Sequence, residues 1–309
     1  MKFFVTGGAG FIGSHLVDRL MQQGDVTVYD NLSLGKKEFI DHHLSKKNFK
    51  FIKADLLNIK KLQESMKGHD AVFHMAANSD ISFGTTQTDV DLKQGTLATY
   101  NVLDSMRLCS IEKIIFSSTS AVYGEADIFP TPESYGAKLP ISLYGASKLA
   151  AEGMISAYCH LYGMQAWIFR FANIIGERST HGVMHDFVRK LRKNPKRLEI
   201  LGDGNQRKPY LYVKDCADGM VYGFKHAKDE VNVFNLGCDG NTSANEIAKM
   251  IIEEMKLENV KIEYTGGKRG WKGDVPLVNY DTSKMKKLGW KPSLTSDKAV
   301  RKAIKIYLN

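Results

Sequence analysis

Three glycines, Gly7, Gly10 and Gly13, recur at every third position directly after a short apolar run, Lys2–Thr6. The run reads as a buried strand, and a helical pattern follows over residues 11–23. A strand, a glycine turn and a helix joined this tightly restrict the fold severely. Gly7 permits the turn, Gly10 lets backbone approach a bound group, and Gly13 lets the helix lie close to the sheet. The helix then opens at Phe11 and Ile12 with unpaired N–H groups and a partial positive charge, a site suited to a diphosphate. Glycine is common in turns, so the triplet gains its weight from the strand before it and the helix after it.

A second strand, residues 26–29, closes with Asp30. This is the distance from the glycines at which an acid can accept hydrogen bonds from a ribose diol. A carboxylate there repels a 2′-phosphate, so the expected cofactor is NAD rather than NADP. Further strand-like runs occupy residues 49–53, 71–75, 113–117 and 166–170, with helical patterns at 97–107 and 144–161. Strands alternating with helices predict an α/β fold with a doubly wound parallel Rossmann sheet. Beyond Phe171 the elements shorten. Residues 1–171 are therefore expected to form the NAD-binding domain. Residues 172–309 are expected to form mainly a smaller α/β substrate-binding lobe, with some segments returning to the first domain. One helix in that part, 243–257, starts at Ser243 with Glu246 placed for a capping box.

The bulk properties narrow the partners. No stretch approaches the ~18–20 apolar residues that span a bilayer, and residues 1–5 lack the features of a signal peptide. A cytoplasmic protein with no membrane partner is the expectation. Cys109, Cys159, Cys216 and Cys238 are scattered, without metal or redox spacing, so no metal is expected. The net charge of +9 favours anions. The basic residues are dispersed, and the densest group, from Arg189 to Arg197, has no interleaved aromatics. That pattern suits a diphosphate ligand better than nucleic acid.

Four tyrosines precede a lysine by four positions: Tyr144/Lys148, Tyr210/Lys214, Tyr264/Lys268 and Tyr280/Lys284. On a helix such a pair shares a face, and an ammonium beside a phenol lowers its pKa from ~10, making it usable as a general acid and base. Context selects the first pair. Tyr144 opens a helical segment, and Thr119 lies upstream in a hydroxyl-rich run, Ser117-Ser118-Thr119-Ser120, at a strand's end. The other three pairs read as surface.

Together these motifs resemble those of the extended short-chain dehydrogenase/reductases, in the branch of UDP-glucose 4-epimerases. The resemblance covers essentially the whole chain. It includes residues 6–13, Asp30 to Ser33, Asp55-Leu56, His74 to Ala77, Ser117 to Gly124, Tyr144 to Lys148, Arg170 to Asn173 and Gly202-Asp203-Gly204 through Asp215. It implies that Asp30, Asn31, Ser33 and Gly35 hold the adenosine ribose, and that Asp55 and Leu56 receive the adenine. Ala76, Ala77 and Phe171 would line the cofactor cleft. Thr119, Tyr144 and Lys148 would be catalytic, with Tyr144 and Lys148 also meeting the cofactor and Thr119 and Tyr144 the sugar. Asn173 would contact the UDP-sugar.

Departures from the family pattern matter as well. Thr119 replaces the usual serine and keeps the hydroxyl. The acidic dipeptide of the related sugar dehydratases is absent, its positions holding Ser120 and Ala121, which argues against elimination of water. Lys208 stands where a nucleotide-binding arginine is usual, with Arg207 beside it as a substitute. Arg269, in the segment 268–274, is a further substrate-binding candidate. The implied reaction is NAD-dependent 4-epimerisation of UDP-glucose and UDP-galactose through a 4-keto sugar. The alternatives are UDP-glucuronate or a UDP-N-acetylhexosamine, with Arg178, His181 and His185 as carboxylate readers or as plain loop surface. A non-catalytic regulator that binds NAD or RNA is the alternative of another class. The resemblance also suggests a homodimer paired through helices near 92–107 and 144–161.

Overall fold

The computed structural model describes residues 1–81, 83–136, 138–270 and 273–308. In chain order the strands are β1 (Lys2–Thr6), β2 (Asp25–Asp30), β3 (Phe49–Lys53), β4 (Ala71–His74), β5 (Lys113–Thr119) and β6 (Gln165–Phe171). Then come β7 (Asn173–Ile175), β8 (Arg197–Ile200), β9 (Arg207–Lys208), β10 (Tyr210–Tyr212), β11 (Val231–Leu236), β12 (Thr242–Ser243) and β13 (Lys261–Tyr264). The helices are α1 (Phe11–Leu20), α2 (Ile59–Met66), α3 (Ala98–Leu108), α4 (Leu143–Tyr162), α5 (Val183–Lys193), α6 (Val213–His226), α7 (Ala244–Glu254), α8 (Ser283–Leu288) and α9 (Ser296–Leu308).

Seven strands form one parallel sheet in the order β11-β6-β5-β4-β1-β2-β3. This is the doubly wound sheet that the alternating pattern predicts. Alternate β1 side chains serve opposite faces. Phe3 and Val5 pack with Leu16 and Val17 of α1 and Met220 and Phe224 of α6. Phe4 packs with Leu62 of α2, Val102 of α3 and Ile155 of α4. With both faces covered, the inner strands read as near-continuous apolar runs, which made them legible. Strand order reverses between β1 and β4, and such a reversal opens a crevice at the strands' carboxyl ends.

The seventh strand, β11, has no counterpart among the predicted strands. Its sequence interrupts the apolar run with Asn232 and Asn235, both buried. Each asparagine is satisfied by backbone: Asn232 donates to the Ala166 carbonyl at 3.1 Å, and Asn235 to the Thr131 carbonyl at 3.0 Å. Strand β11 and helix α6 come from the second half of the chain but complete the first sheet.

The rest of that half builds a smaller layer. Strand β7 pairs with β10 and β8 with β13, both parallel, while β9 and β12 are antiparallel. Their core joins Phe187 and Leu191 of α5, Ile247 and Ile251 of α7, and Val300 and Ile304 of α9. Helix α7 begins with the predicted capping box, both the Ser243 and the Glu246 hydrogen bonds being present. The helix expected at 97–107 runs from Ala98 to Leu108 and is preceded by a wider helical turn over Leu92–Leu97.

Candidate active site

The glycine turn is built for close approach. Gly7 has a φ of +67°, and a Cβ there would stand 2.6 Å from the Ala76 nitrogen. A Cβ on Gly13 would overlap the Gly7 carbonyl oxygen. Gly10 caps α1 with extended backbone, offers no side-chain cap, and is followed by no acid in the first turn. The leading N–H groups are thus left for an outside anion.

Asp30 is buried beside this turn. Its Oδ2 accepts from the Ala9 N–H at 3.0 Å and its Oδ1 from the Leu32 N–H at 2.8 Å. Burial pushes its pKa up, and those two N–H groups oppose the shift. The carboxylate retains further lone pairs for a ribose diol. Gly35 closes over it, since a Cβ there would lie 3.0 Å from Asp30 Oδ1.

These groups open onto a cleft of about 1090 Å³. Gly7, Gly10, Phe11, Ile12, Gly13, Asp30, Asn31, Ser33 and Gly35 all line it. So do Leu56, Ala76, Ala77 and Phe171. Asp55 does not. Its Oδ2 accepts from the Asn31 amide at 2.9 Å and its Oδ1 from the Leu57 N–H at 2.8 Å. Asp55 therefore braces Asn31.

Deeper in the same cleft lie Thr119, Tyr144 and Lys148. Thr119 ends β5, and Ser142 caps α4 by accepting from the Gly145 N–H at 3.1 Å. That cap sets Tyr144 at the start of the helix, with Lys148 one turn further. The Thr119 hydroxyl lies beside the Tyr144 phenol. The expected lowering of the phenol by Lys148 does not occur. Lys148 Nζ lies 6.0 Å from the Tyr144 ring centre and donates to the Ser117 carbonyl at 2.7 Å. Burial instead pushes the Tyr144 phenol up to about 12, with the Asp91 carboxylate adding and Thr119 opposing. Burial likewise pulls the Lys148 ammonium down to about 7, against Glu152 and Asp91.

Behind this trio lies a buried ionic network that sequence reading missed. Arg170 grips Glu152 with two hydrogen bonds, at 3.0 and 2.7 Å. Ser118 donates to the same carboxylate at 2.6 Å. Arg170 also donates to the Tyr123 hydroxyl and the Glu133 carbonyl, each at 2.9 Å. The signal was available, because Glu152 follows Lys148 by four positions on one helix face. Asp91 had no such signal. It is 2% exposed, and its Oδ1 accepts from Asn78 at 3.1 Å.

The surface reading of the other tyrosine–lysine pairs needs correction. Tyr264 is exposed and donates to Asn245 at 3.0 Å. Tyr210 is buried and, like Tyr280, lines the cleft. Tyr280 sits in a loop between the polar Asn279 and Asp281, whereas Tyr210 opens the apolar, buried run Tyr210–Tyr212.

At the lobe end, Asn173 lines the cleft and hydrogen-bonds Tyr210. Lys208 reaches the cleft and is ion-paired with the buried Asp274. Arg207 points elsewhere, donating to Glu246 at 2.6 Å and to the Asn241 carbonyl at 3.1 Å. Neighbouring strand residues face opposite ways, so Lys208 and Arg207 cannot both enter. Arg269 is also off the cleft wall, bound to Glu125 at 2.6 Å and to the Asp274 carbonyl at 2.7 Å. Trp271 and Lys272 of that segment lie outside the described residues. Among the proposed carboxylate readers, His181 lines the cleft, Arg178 pairs with Asp18 at 2.9 Å, and His185 packs against Tyr307.

A preformed dinucleotide cradle and a threonine–tyrosine–lysine centre sharing one cleft define an NAD-dependent short-chain dehydrogenase/reductase type of protein. Residues 3–237 match the NAD dependent epimerase/dehydratase family, and the chain belongs to it. NAD is the cofactor, and the cradle fits it. A solved UDP-galactose 4-epimerase is 38% identical, superposes with a TM-score of 0.89, and is covered to 99% by 100% of this chain. The UDP-glucuronate 4-epimerase of Thermodesulfobacterium geofontis is 29% identical over 98% of this chain and 94% of its own length. The UDP-N-acetylglucosamine 4-epimerase of Methanobrevibacter ruminantium, solved with UDP-N-acetylmuramic acid, is 29% identical with a TM-score of 0.88. The match covers 99% of this chain and 98% of that one. Among the described residues, no helix is long and apolar enough to cross a membrane.

Proposed function

We propose that this protein is a nucleotide-sugar 4-epimerase that interconverts UDP-glucose and UDP-galactose. The observation that carries the reading is the convergence of Thr119, Tyr144 and Lys148 on the cleft that begins at the glycine turn and Asp30. Held by the Gly7–Gly13 turn and Asp30, NAD would supply the hydride acceptor and donor for the sugar C4 and a positive charge in the cleft. Tyr144 holds and moves the proton at the sugar O4. Its phenol, held high by burial, is a ready acid towards a 4-keto oxygen, and a nearby positive charge lowers it towards use as a base. Thr119 orients the phenol. Lys148, anchored on the Ser117 carbonyl, is aligned for the cofactor ribose. Asn173 and Lys208 receive the nucleotide portion, with Asp274 released from Lys208 as the diphosphate arrives.

Two features support a neutral hexose and a simple epimerisation. The cationic side chains on the described cleft wall are Lys148, Lys208 and the rim residue His181, and both lysines already have assignments. A hexuronate would need a further cation, and Arg178, Arg207 and Arg269 are each committed to acids elsewhere. Ser120 and Ala121 both line the cleft where elimination would require an acid and a base. The same reading includes a homodimer through the outer faces of α3 and α4, where Tyr100, Leu108, Leu161 and Tyr162 are exposed. Product analysis by proton NMR, with UDP-glucose, UDP-glucuronate and UDP-N-acetylglucosamine supplied separately, tests the assignment. UDP-galactose should form fastest. Faster turnover of UDP-glucuronate would overturn the substrate assignment, and a 4-keto-6-deoxy product at a comparable rate would overturn the reaction class.

A further inference from the structure

On the outer side of α1, away from the cleft, Asp18 meets two adjacent histidines. His42 Nε2 lies 2.8 Å and His43 Nε2 2.7 Å from the same oxygen, Asp18 Oδ1. One ligand atom from each residue lies within 4.8 Å of the other two. The two imidazole rings sit 4.0 Å apart, centre to centre. We propose that Asp18, His42 and His43 form a binding site for a zinc-class divalent cation.

The chemistry matches that class. Two imidazole nitrogens and one carboxylate oxygen are a familiar donor set for zinc, with bonds of about 2.0–2.2 Å. A single cation replaces the two hydrogen bonds to Asp18 Oδ1, and the nitrogen–oxygen separations then widen to about 3.3 Å. His42 is exposed and Asp18 half-buried, so solvent can supply the fourth ligand.

Two cations bound the affinity. Arg178 holds Asp18 Oδ2 at 2.9 Å and can stay there, orienting the carboxylate as outer partners commonly do. Lys46 lies 3.0 Å from His43 Nδ1 and must leave, because a ligated His43 needs that nitrogen protonated. Lys46 is exposed, so its release costs little. Sequence spacing concealed it, because Asp18 lies on α1 and the histidines in a short turn before β3.

The test is calorimetry with zinc chloride on chelator-washed, NAD-loaded, full-length protein, plus the absorption spectrum of added cobalt(II). One equivalent of zinc should bind. His42→Ala and Asp18→Asn should each weaken it by at least about 10-fold, and cobalt should give a nitrogen–oxygen spectrum. Metal-free turnover of both variants should stay within about twofold of the unaltered protein, since neither residue touches the cleft. His43 is too buried to serve as the primary variant. No bound equivalent, undiminished binding in both variants, or a thiolate-to-cobalt charge-transfer band would each overturn the site.

Discussion

The two ends of the cleft are built on different terms. At the cofactor end the ligand groups are held ready by backbone: Gly7 is in its positive-φ turn, α1 presents unpaired N–H groups, and Asp30 is fixed by Ala9 and Leu32. At the nucleotide-sugar end the cation on the described wall, Lys208, is neutralised by the protein's own Asp274, while Arg207 and Arg269 are turned away onto Glu246 and Glu125. The first end is preorganised and should bind tightly with little rearrangement. The second must exchange the Lys208–Asp274 ion pair for a ligand contact, so part of the binding energy there is consumed in breaking it. A cofactor that is regenerated each turnover can stay, while a substrate must leave.

The largest effect should come from the centre where the two ends meet. Tyr144→Phe keeps the ring and removes the acid/base, so kcat should drop by ~10²–10⁴ with NAD still bound. Tyr264→Phe, on the surface, should leave kcat within about twofold. Tyr280→Phe is not an equivalent control, because Tyr280 lines the cleft. Near-normal turnover of a folded, NAD-loaded Tyr144→Phe would remove the trio from the mechanism.

At the nucleotide end, Lys208→Ala should raise KM about 10–100-fold, the range of a lost charge-assisted hydrogen bond. Arg207→Ala, losing an exposed ion pair, should change KM by less than about threefold. The reverse ranking would mean that the ion pairs reorganise more deeply than the cleft wall suggests. At the cofactor end, Asp30→Ala should weaken NAD about 10-fold or more and narrow its advantage over NADP. Wild-type binding of NADP as tight as that of NAD, measured by calorimetry, would contradict the preorganised ribose site.

The smallest effect concerns stability. His74 is fully buried between Thr6 and Thr99, at 2.7 and 3.0 Å, and burial pulls its pKa down to about 3, with Lys148 adding. Above pH 6.5 both folded and unfolded chains hold it neutral. As pH falls from 6.5 towards 3, the unfolded chain takes a proton that the folded one refuses, so stability is lost. His74→Gln should flatten the pH dependence of urea denaturation in that window by up to ~1.4 kcal/mol per pH unit. An unchanged slope would assign the acid sensitivity to other groups.

The same contrast explains what could be read in the sequence. The strands of the main sheet and the glycine turn are local features, with apolar runs and fixed spacing, and they were legible. Strand β11 was not, because two buried asparagines break its apolar run, and Asn235 is satisfied by Tyr123, Thr131 and Asp281, all distant in the chain. The roles of Arg207, Lys208 and Arg269 were ambiguous because one residue of register decides which side chain enters the cleft. Asp55 carried a family motif, but spacing did not reveal that its carboxylate braces Asn31 and the Leu57 N–H. Lys148 was expected to act on the tyrosine directly. The Ser117 carbonyl that turns its ammonium away is invisible to spacing.

The central claim is that hydride leaves the sugar C4 and returns to the opposite face of the same carbon within one cleft. UDP-glucose carrying deuterium at C4, incubated in ordinary water with the protein as isolated, tests it directly. The account predicts UDP-galactose that retains the deuterium at C4, with no cofactor released into solution. Exchange of the C4 label with water, or a product labelled at C6 with oxygen lost, would contradict it.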